Sequence, residues 1–210
     1  MPHHRRRRIG RFALIAGAAF LLTSCVTGER PTLTPEVPIN DPAVEEVLDR
    51  LDTADSSVFT AEYDIIPTTT GATTKAIVQR WEDGRVRVAV GTVEYVIDGS
   101  VSRTCEIGAD DCVNQIDDAR ISDLNVTHLF WGRSFAARLR LDAARNIADG
   151  QGRLDTIAGQ PARCVDIEIV GGTVVYCALD DGLLARYFGA DVSIELTSYS
   201  PTAARGSFDS

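Results

Sequence analysis

The 210-residue chain carries a formal net charge of −9 and is 44% hydrophobic, with 24% charged residues. That composition suits one globular domain with a sizeable core, and its acidic balance excludes a nucleic-acid binder and broad adsorption to anionic headgroups. Five of the 21 Lys and Arg residues and none of the 30 acidic ones fall before residue 25, so the rest of the chain carries about −14.

Arg5, Arg6, Arg7, Arg8 and Arg11 form a basic head, and Phe12 to Leu22 form an apolar run of signal-peptide length, too short to span a bilayer. Leu22-Thr23-Ser24-Cys25 resembles the bacterial lipobox: an aliphatic residue, two small ones, then the cysteine whose sulfur receives a diacylglycerol. Residues 1–24 are therefore expected to be a leader. Cys25 is the expected lipid attachment site, which places the protein outside the cytoplasm, anchored to the bacterial cell membrane by two or three acyl chains. From residue 25 to 40, prolines at 31, 35 and 38 and the lack of any apolar period predict a semi-extended tether.

Asp41-Pro42 opens a helix, with Val44, Val47, Leu48 and Leu51 as one apolar stripe over about 42–54. The period then changes to two. Phe59, Ala61, Tyr63 and Ile65 alternate, as do the flanks of Asp83-Gly84 and Asp98-Gly99, predicting five antiparallel strands between 59 and 105. Residues 107–123 read as a polar loop. Leu124 to Trp131 and Ser134 to Ala148 read as helices broken at Gly132, with Phe135, Leu139, Ala143 and Ile147 spaced by four; alternation at Phe135, Ala137, Leu139 and Leu141 leaves a strand as the other reading of the second one's first half. About five further strands follow between 152 and 199, and 201–210 reads as a loose tail.

Four cysteines remain after Cys25, an even number in an exported chain, so two disulfides are expected. Three connectivities exist, and spacing favours Cys105 with Cys112 and Cys164 with Cys177. A two-residue turn at Gly171-Gly172 would set Cys164 opposite Leu179, so that turn and a bond in direct register with Cys177 exclude one another. The disulfide is preferred.

No nucleophile elbow, phosphate-cradling loop or metal-ligand spacing is present, and His128 is the one histidine beyond the leader. The acidic pairs sit at predicted turns, where carboxylates are ordinary. The expectation is a non-enzyme without a cofactor or metal.

Helix, meander, helical pair, second meander predicts an α+β fold with an antiparallel sheet. With the lipobox, the proline-rich tether, the string Ile157-Ala158-Gly159-Gln160-Pro161-Ala162-Arg163-Cys164, a paired Cys177 and Asp181-Gly182-Leu183, this order resembles the LolA-like and LppX/LprG-like bacterial envelope lipoproteins. The resemblance implies an unclosed antiparallel half-barrel of about ten strands over residues 41–200, with the N-terminal helix and the helical pair covering its concave face. It further implies binding of the acyl chains of a lipid, glycolipid or lipoprotein, as carrier or chaperone. Apolar residues on both faces of 76–81 and 174–179 fit a sheet covered on both sides or lining a greasy cavity. The expected lining is Phe59, Tyr63, Ile65, Val86, Val88, Tyr95 and Ile97 from the sheet and Leu129, Phe130, Trp131, Phe135 and Leu139 from the lid, with Leu129-Phe130-Trp131-Gly132 as a flap. The alternative is a sensor or interaction lipoprotein that regulates an envelope membrane protein; in either case a monomer is expected.

Overall fold

The computed structural model describes residues 39–54, 57–109 and 111–203. The leader, Cys25, most of the tether and the end of the tail lie outside the described residues. Helix α1 (Pro42–Leu51) starts where the sequence signals it, because the Asp41 carboxylate accepts the backbone N–H groups of Ala43 at 3.0 Å and Val44 at 3.3 Å, and Pro42 needs no partner. Its other oxygen accepts the N–H of Gly150 at 2.6 Å, tying the helix start to the second half of the chain. Asp41→Ala therefore lowers unfolding free energy by about 1–2 kcal/mol, a cap plus one long-range bond, read as a drop in urea midpoint at constant slope. Asp41→Asn keeps most of it.

The first meander is β1 (Phe59–Pro67), β2 (Thr74–Arg80), β3 (Val86–Val90), β4 (Val93–Asp98), β5 (Val101–Glu106) and a short β6 (Cys112–Val113). The second is β7 (Gln151–Ile157), β8 (Gln160–Ile169), β9 (Gly172–Leu179), β10 (Leu184–Phe188) and β11 (Val192–Ser200). They form one 11-stranded sheet in the order β6-β5-β4-β3-β2-β1-β11-β10-β9-β8-β7, with every pairing antiparallel. The β1–β11 pair welds the two meanders, and the two outermost strands, β6 and β7, do not meet. This is the unclosed α+β half-barrel of the expected class, with eleven strands instead of ten because the predicted polar loop contributes β6.

Between the meanders lie a 3₁₀ segment (Asp118–Leu124) and helix α2 (Arg133–Ala143). The pair is present, but its first member sits upstream of the predicted 124–131. Asn125 takes the left-handed conformation at φ 57° and ends the 3₁₀ segment, leaving 126–131 as turns. Helix α2 ends before Ile147, which is 66% exposed. Phe135, Leu139 and Ala143 do face the core, so the strand reading of that stretch does not hold. No helix among the described residues is long and apolar enough to cross a membrane.

Both favoured disulfides form. Cys164 stands directly across from Cys177, and Ile169 pairs with Gly172, so the tight turn is Val170-Gly171, one residue earlier than the Gly-Gly dipeptide suggested. Bond and tight turn therefore coexist, the turn being fitted by Gly171 at φ 111° and Gly172 at φ 140°. Gly182, at φ 89°, is required for a second reason: a Cβ there would collide with the backbone of Arg50 and Ala54, so the β9–β10 turn docks directly on the end of α1. Helix α1 packs against β7, β8, β9 and α2, and its stripe Val44, Val47, Leu48 and Leu51 joins one continuous apolar core.

Candidate functional site

The connection between the meanders packs on the sheet, and its geometry starts from local contacts. Asp118, at the head of the 3₁₀ segment, accepts the backbone N–H of His128 at 2.8 Å and lies 3.0 and 3.1 Å from its Nδ1, pinning the 126–131 loop back on the segment that precedes it. The His128 ring lies over Tyr95, centroids 5.6 Å apart, and the Trp131 indole N–H donates to the His128 carbonyl at 3.2 Å. The Trp131 carbonyl in turn accepts the N–H of Leu184 at 2.8 Å. So fixed, the loop drives two consecutive aromatics inward. Phe130 meets Tyr63 edge-on at 5.1 Å, and Trp131 meets Phe59 at 5.5 Å.

Helix α2 begins at Gly132 with no side-chain cap and lies over β9 and β10 through Phe135, whose ring centroid is 4.8 Å from that of Tyr187 and 6.5 Å from that of Tyr176. Arg138 stacks on Tyr187 at 4.6 Å and bonds Asp191 at 2.5 Å. Burial works against the guanidinium's charge, but the bond to Asp191 together with the fields of Tyr187, Asp191 and Tyr176 outweighs it and raises its pKa. Burial also raises the Tyr187 phenol, to about 12. Asp142, almost fully buried, accepts the Tyr176 hydroxyl at 2.5 Å and pairs with Arg145, and Arg140 pairs with Asp52 at the end of α1. Burial, then the bond to Asp142, pushes the Tyr176 phenol far up.

Between the 3₁₀ segment, the loop and the first turns of α2 runs a groove of about 500 Å³ lined by Asp118, Ala119, Ser122, Asn125, Val126, Thr127, Ser134, Phe135 and Arg138. Its volume falls in the range of small-molecule sites. Phe135 belongs both to this groove and to the buried core. It is the floor through which groove and interior adjoin.

Of the twelve residues expected to line a cavity, Phe59, Tyr63, Ile65, Val86, Val88, Tyr95, Phe130, Trp131, Phe135 and Leu139 do converge in one buried cluster, and Ile97 packs on it. Leu129 does not: at 39% exposure it stays outside, because the turn that buries Phe130 and Trp131 points its neighbour away. These side chains pack against one another and fill the concave face. The polar groove residues were not foreseen, having no period or motif; the juxtaposition of Asp118 with His128, ten residues apart, had no signal either. No group of three or more metal-ligating side chains is gathered among the described residues.

No family model matches the chain, and no curated protein matches it. Among solved structures it is similar to MucB (17% identity, 80% of this chain and 62% of that one, TM-score 0.47), also solved with the periplasmic part of MucA and, from Pseudomonas aeruginosa, as a MucA/MucB complex. It is likewise similar to LprF from Mycobacterium bovis (13% identity, 78% of this chain and 95% of that one, TM-score 0.42) and to a LolA superfamily protein from Nitrosomonas europaea (9%, 77% and 94%, TM-score 0.36). The chain thus spans less than two thirds of MucB. The fold assignment rests on strand order and register, which agree with the half-barrel that the LolA-like and LppX/LprG-like resemblance implies.

Proposed function

We propose that the protein is a membrane-anchored extracytoplasmic lipoprotein that binds acyl chains of a lipid, glycolipid or lipoprotein inside its half-barrel and acts as carrier or chaperone at the cell envelope. In this reading residues 1–24 are the leader, Cys25 with the segment to residue 40 the acylated tether, 41–200 the binding domain and 201–210 a tail. The observation that carries it is the open groove whose floor, Phe135, is also a wall of the aromatic interior. An amphiphile would keep its polar end among Ser122, Asn125, Thr127 and Ser134 and pass its chain inward, gaining about 25 cal/mol per Å² of buried apolar surface.

Helix α2 is held by the buried bond from Tyr176 to Asp142 and by two half-exposed ion pairs, Arg138 with Asp191 and Arg140 with Asp52, each pair worth about 0–1 kcal/mol in such settings. The domain produced without Cys25 in a bacterial host should carry about one acyl lipid per chain on chloroform–methanol extraction and mass spectrometry. Trp131→Ala and Phe135→Ala should each weaken uptake of a fluorescent fatty-acyl ester about threefold to tenfold, the equivalent of about 0.6–1.4 kcal/mol of aromatic contact.

The alternative, a non-enzymatic sensor or interaction lipoprotein acting on an envelope membrane protein, is favoured by the filled concave face. Lipid-free protein that takes up no fatty-acyl ester would leave that reading and remove the carrier.

A further inference from the structure

Tyr63 is fully buried, and its hydroxyl has no hydrogen-bond partner among the described residues. Three other tyrosines show what the fold does elsewhere: Tyr95 donates to the Asp117 carbonyl at 3.3 Å, Tyr176 to Asp142 at 2.5 Å and Tyr199 to Asp181 at 2.6 Å. An unmatched buried hydroxyl is destabilising, and phenylalanine would make the same edge-on contact with Phe130 without that penalty. The backbone here is irregular as well. The β1–β11 register slips between Glu62 and Tyr63, with Thr197 as the extra residue and its hydroxyl donating to the Glu62 carbonyl at 3.1 Å; such bulges re-aim side chains.

Burial above all, then the nearby Asp181 and Tyr199, holds the Tyr63 phenol well above its usual pKa, so it keeps its proton and stays available as a donor. Asp181 is already engaged by Tyr199. Opening of the 126–131 loop would withdraw Phe130, whose ring meets that of Tyr63 edge-on, and admit an acyl chain beside Tyr63. A hydrocarbon offers it nothing, and a free carboxylate would enter the interior charged, facing Asp181.

We propose that Tyr63 sets the chemical class of the ligand, its hydroxyl donating a hydrogen bond to the carbonyl oxygen of an uncharged acyl ester. This rests on the lipid-binding reading and names the substrate class within it. The test uses the full chain, as wild type and Tyr63→Phe, with two bromine-labelled probes of equal chain length, a monoacylglycerol ester and its ether analogue, which lacks the carbonyl. Binding is read as quenching of Trp131 fluorescence in a Trp81→Phe background, which removes the other of the chain's two tryptophans. The wild type should bind the ester about tenfold more tightly than the ether, and Tyr63→Phe should bind both at the ether's level. Without probe, the variant should unfold about 2–4 °C higher, since it loses an unmatched polar group. Equal binding of both probes by the wild type, a preference that survives in the variant, or a variant that unfolds below the wild type would each overturn the assignment. Quenching by neither probe would defeat the lipid-binding reading itself.

Discussion

Replacing Cys164 and Cys177 together by alanine lowers the unfolding free energy by about 3 kcal/mol, the amount expected from releasing a loop of about this length in the unfolded chain. The two residues are 13 apart in sequence and directly opposed on β8 and β9. Both are buried, so small apolar replacements disturb packing little and the loss is chiefly that of the cross-link. Breaking Cys105–Cys112 costs less, because its separation is 7 and it fastens only the short β6 to the edge of the sheet. The hairpin also presents Tyr176, next in sequence to Cys177 and the anchor for Asp142 of α2, so loosening it should weaken the seating of that helix. Urea unfolding of the double variant, compared with wild type in reductant, checks this. A loss under 1 kcal/mol in both would show that the pairing of β8 and β9 stands without the bond.

The strands were legible because a half-buried sheet writes a period of two into the chain, and Phe59 to Ile65 follow it, as do Val86 to Val90 apart from the buried Ala89. Helix α1 was legible for an equally local reason, the Asp41 cap ahead of a clean apolar stripe. The 126–131 loop was not. Its run of large apolar residues mimics a helix, and what overrides that pattern is a left-handed Asn125 and long-range ties from Asp118 and Leu184 that no local window contains. The same limit hid the groove. Ser122, Asn125, Thr127 and Ser134 are ordinary surface residues until the 3₁₀ segment and α2 are set side by side. Eleven of the twelve expected lining residues lie in the core or pack on it and Leu129 does not, yet periodicity reports only which face is buried, and a filled core and a lined cavity share that pattern.

Phe130→Ala lowers the unfolding free energy by about 3–5 kcal/mol, the range for deleting a fully buried aromatic ring and leaving a cavity behind. The loop is held by its own latches, from Asp118 to His128 and from Leu184 to the Trp131 carbonyl, so it cannot readily collapse into the space, which places the loss toward the upper end. That space opens beside Tyr63, where Phe130 sits in the path proposed for an acyl chain. Apolar cavities of this kind stay dry and take up apolar guests. The variant is therefore expected to take up a fluorescent fatty-acyl ester several-fold better than wild type while being less stable, the opposite pairing to Trp131→Ala and Phe135→Ala, which weaken both. Ligand bound only by the folded state restores stability by mass action, about 2.7 kcal/mol at a hundred times its dissociation constant, so saturating acyl ester should return more than half of what Phe130→Ala removes. Urea unfolding with and without the ester measures this directly. A loss of stability that the ester leaves untouched would mean that Phe130 fills a core position and that the chain enters elsewhere or not at all.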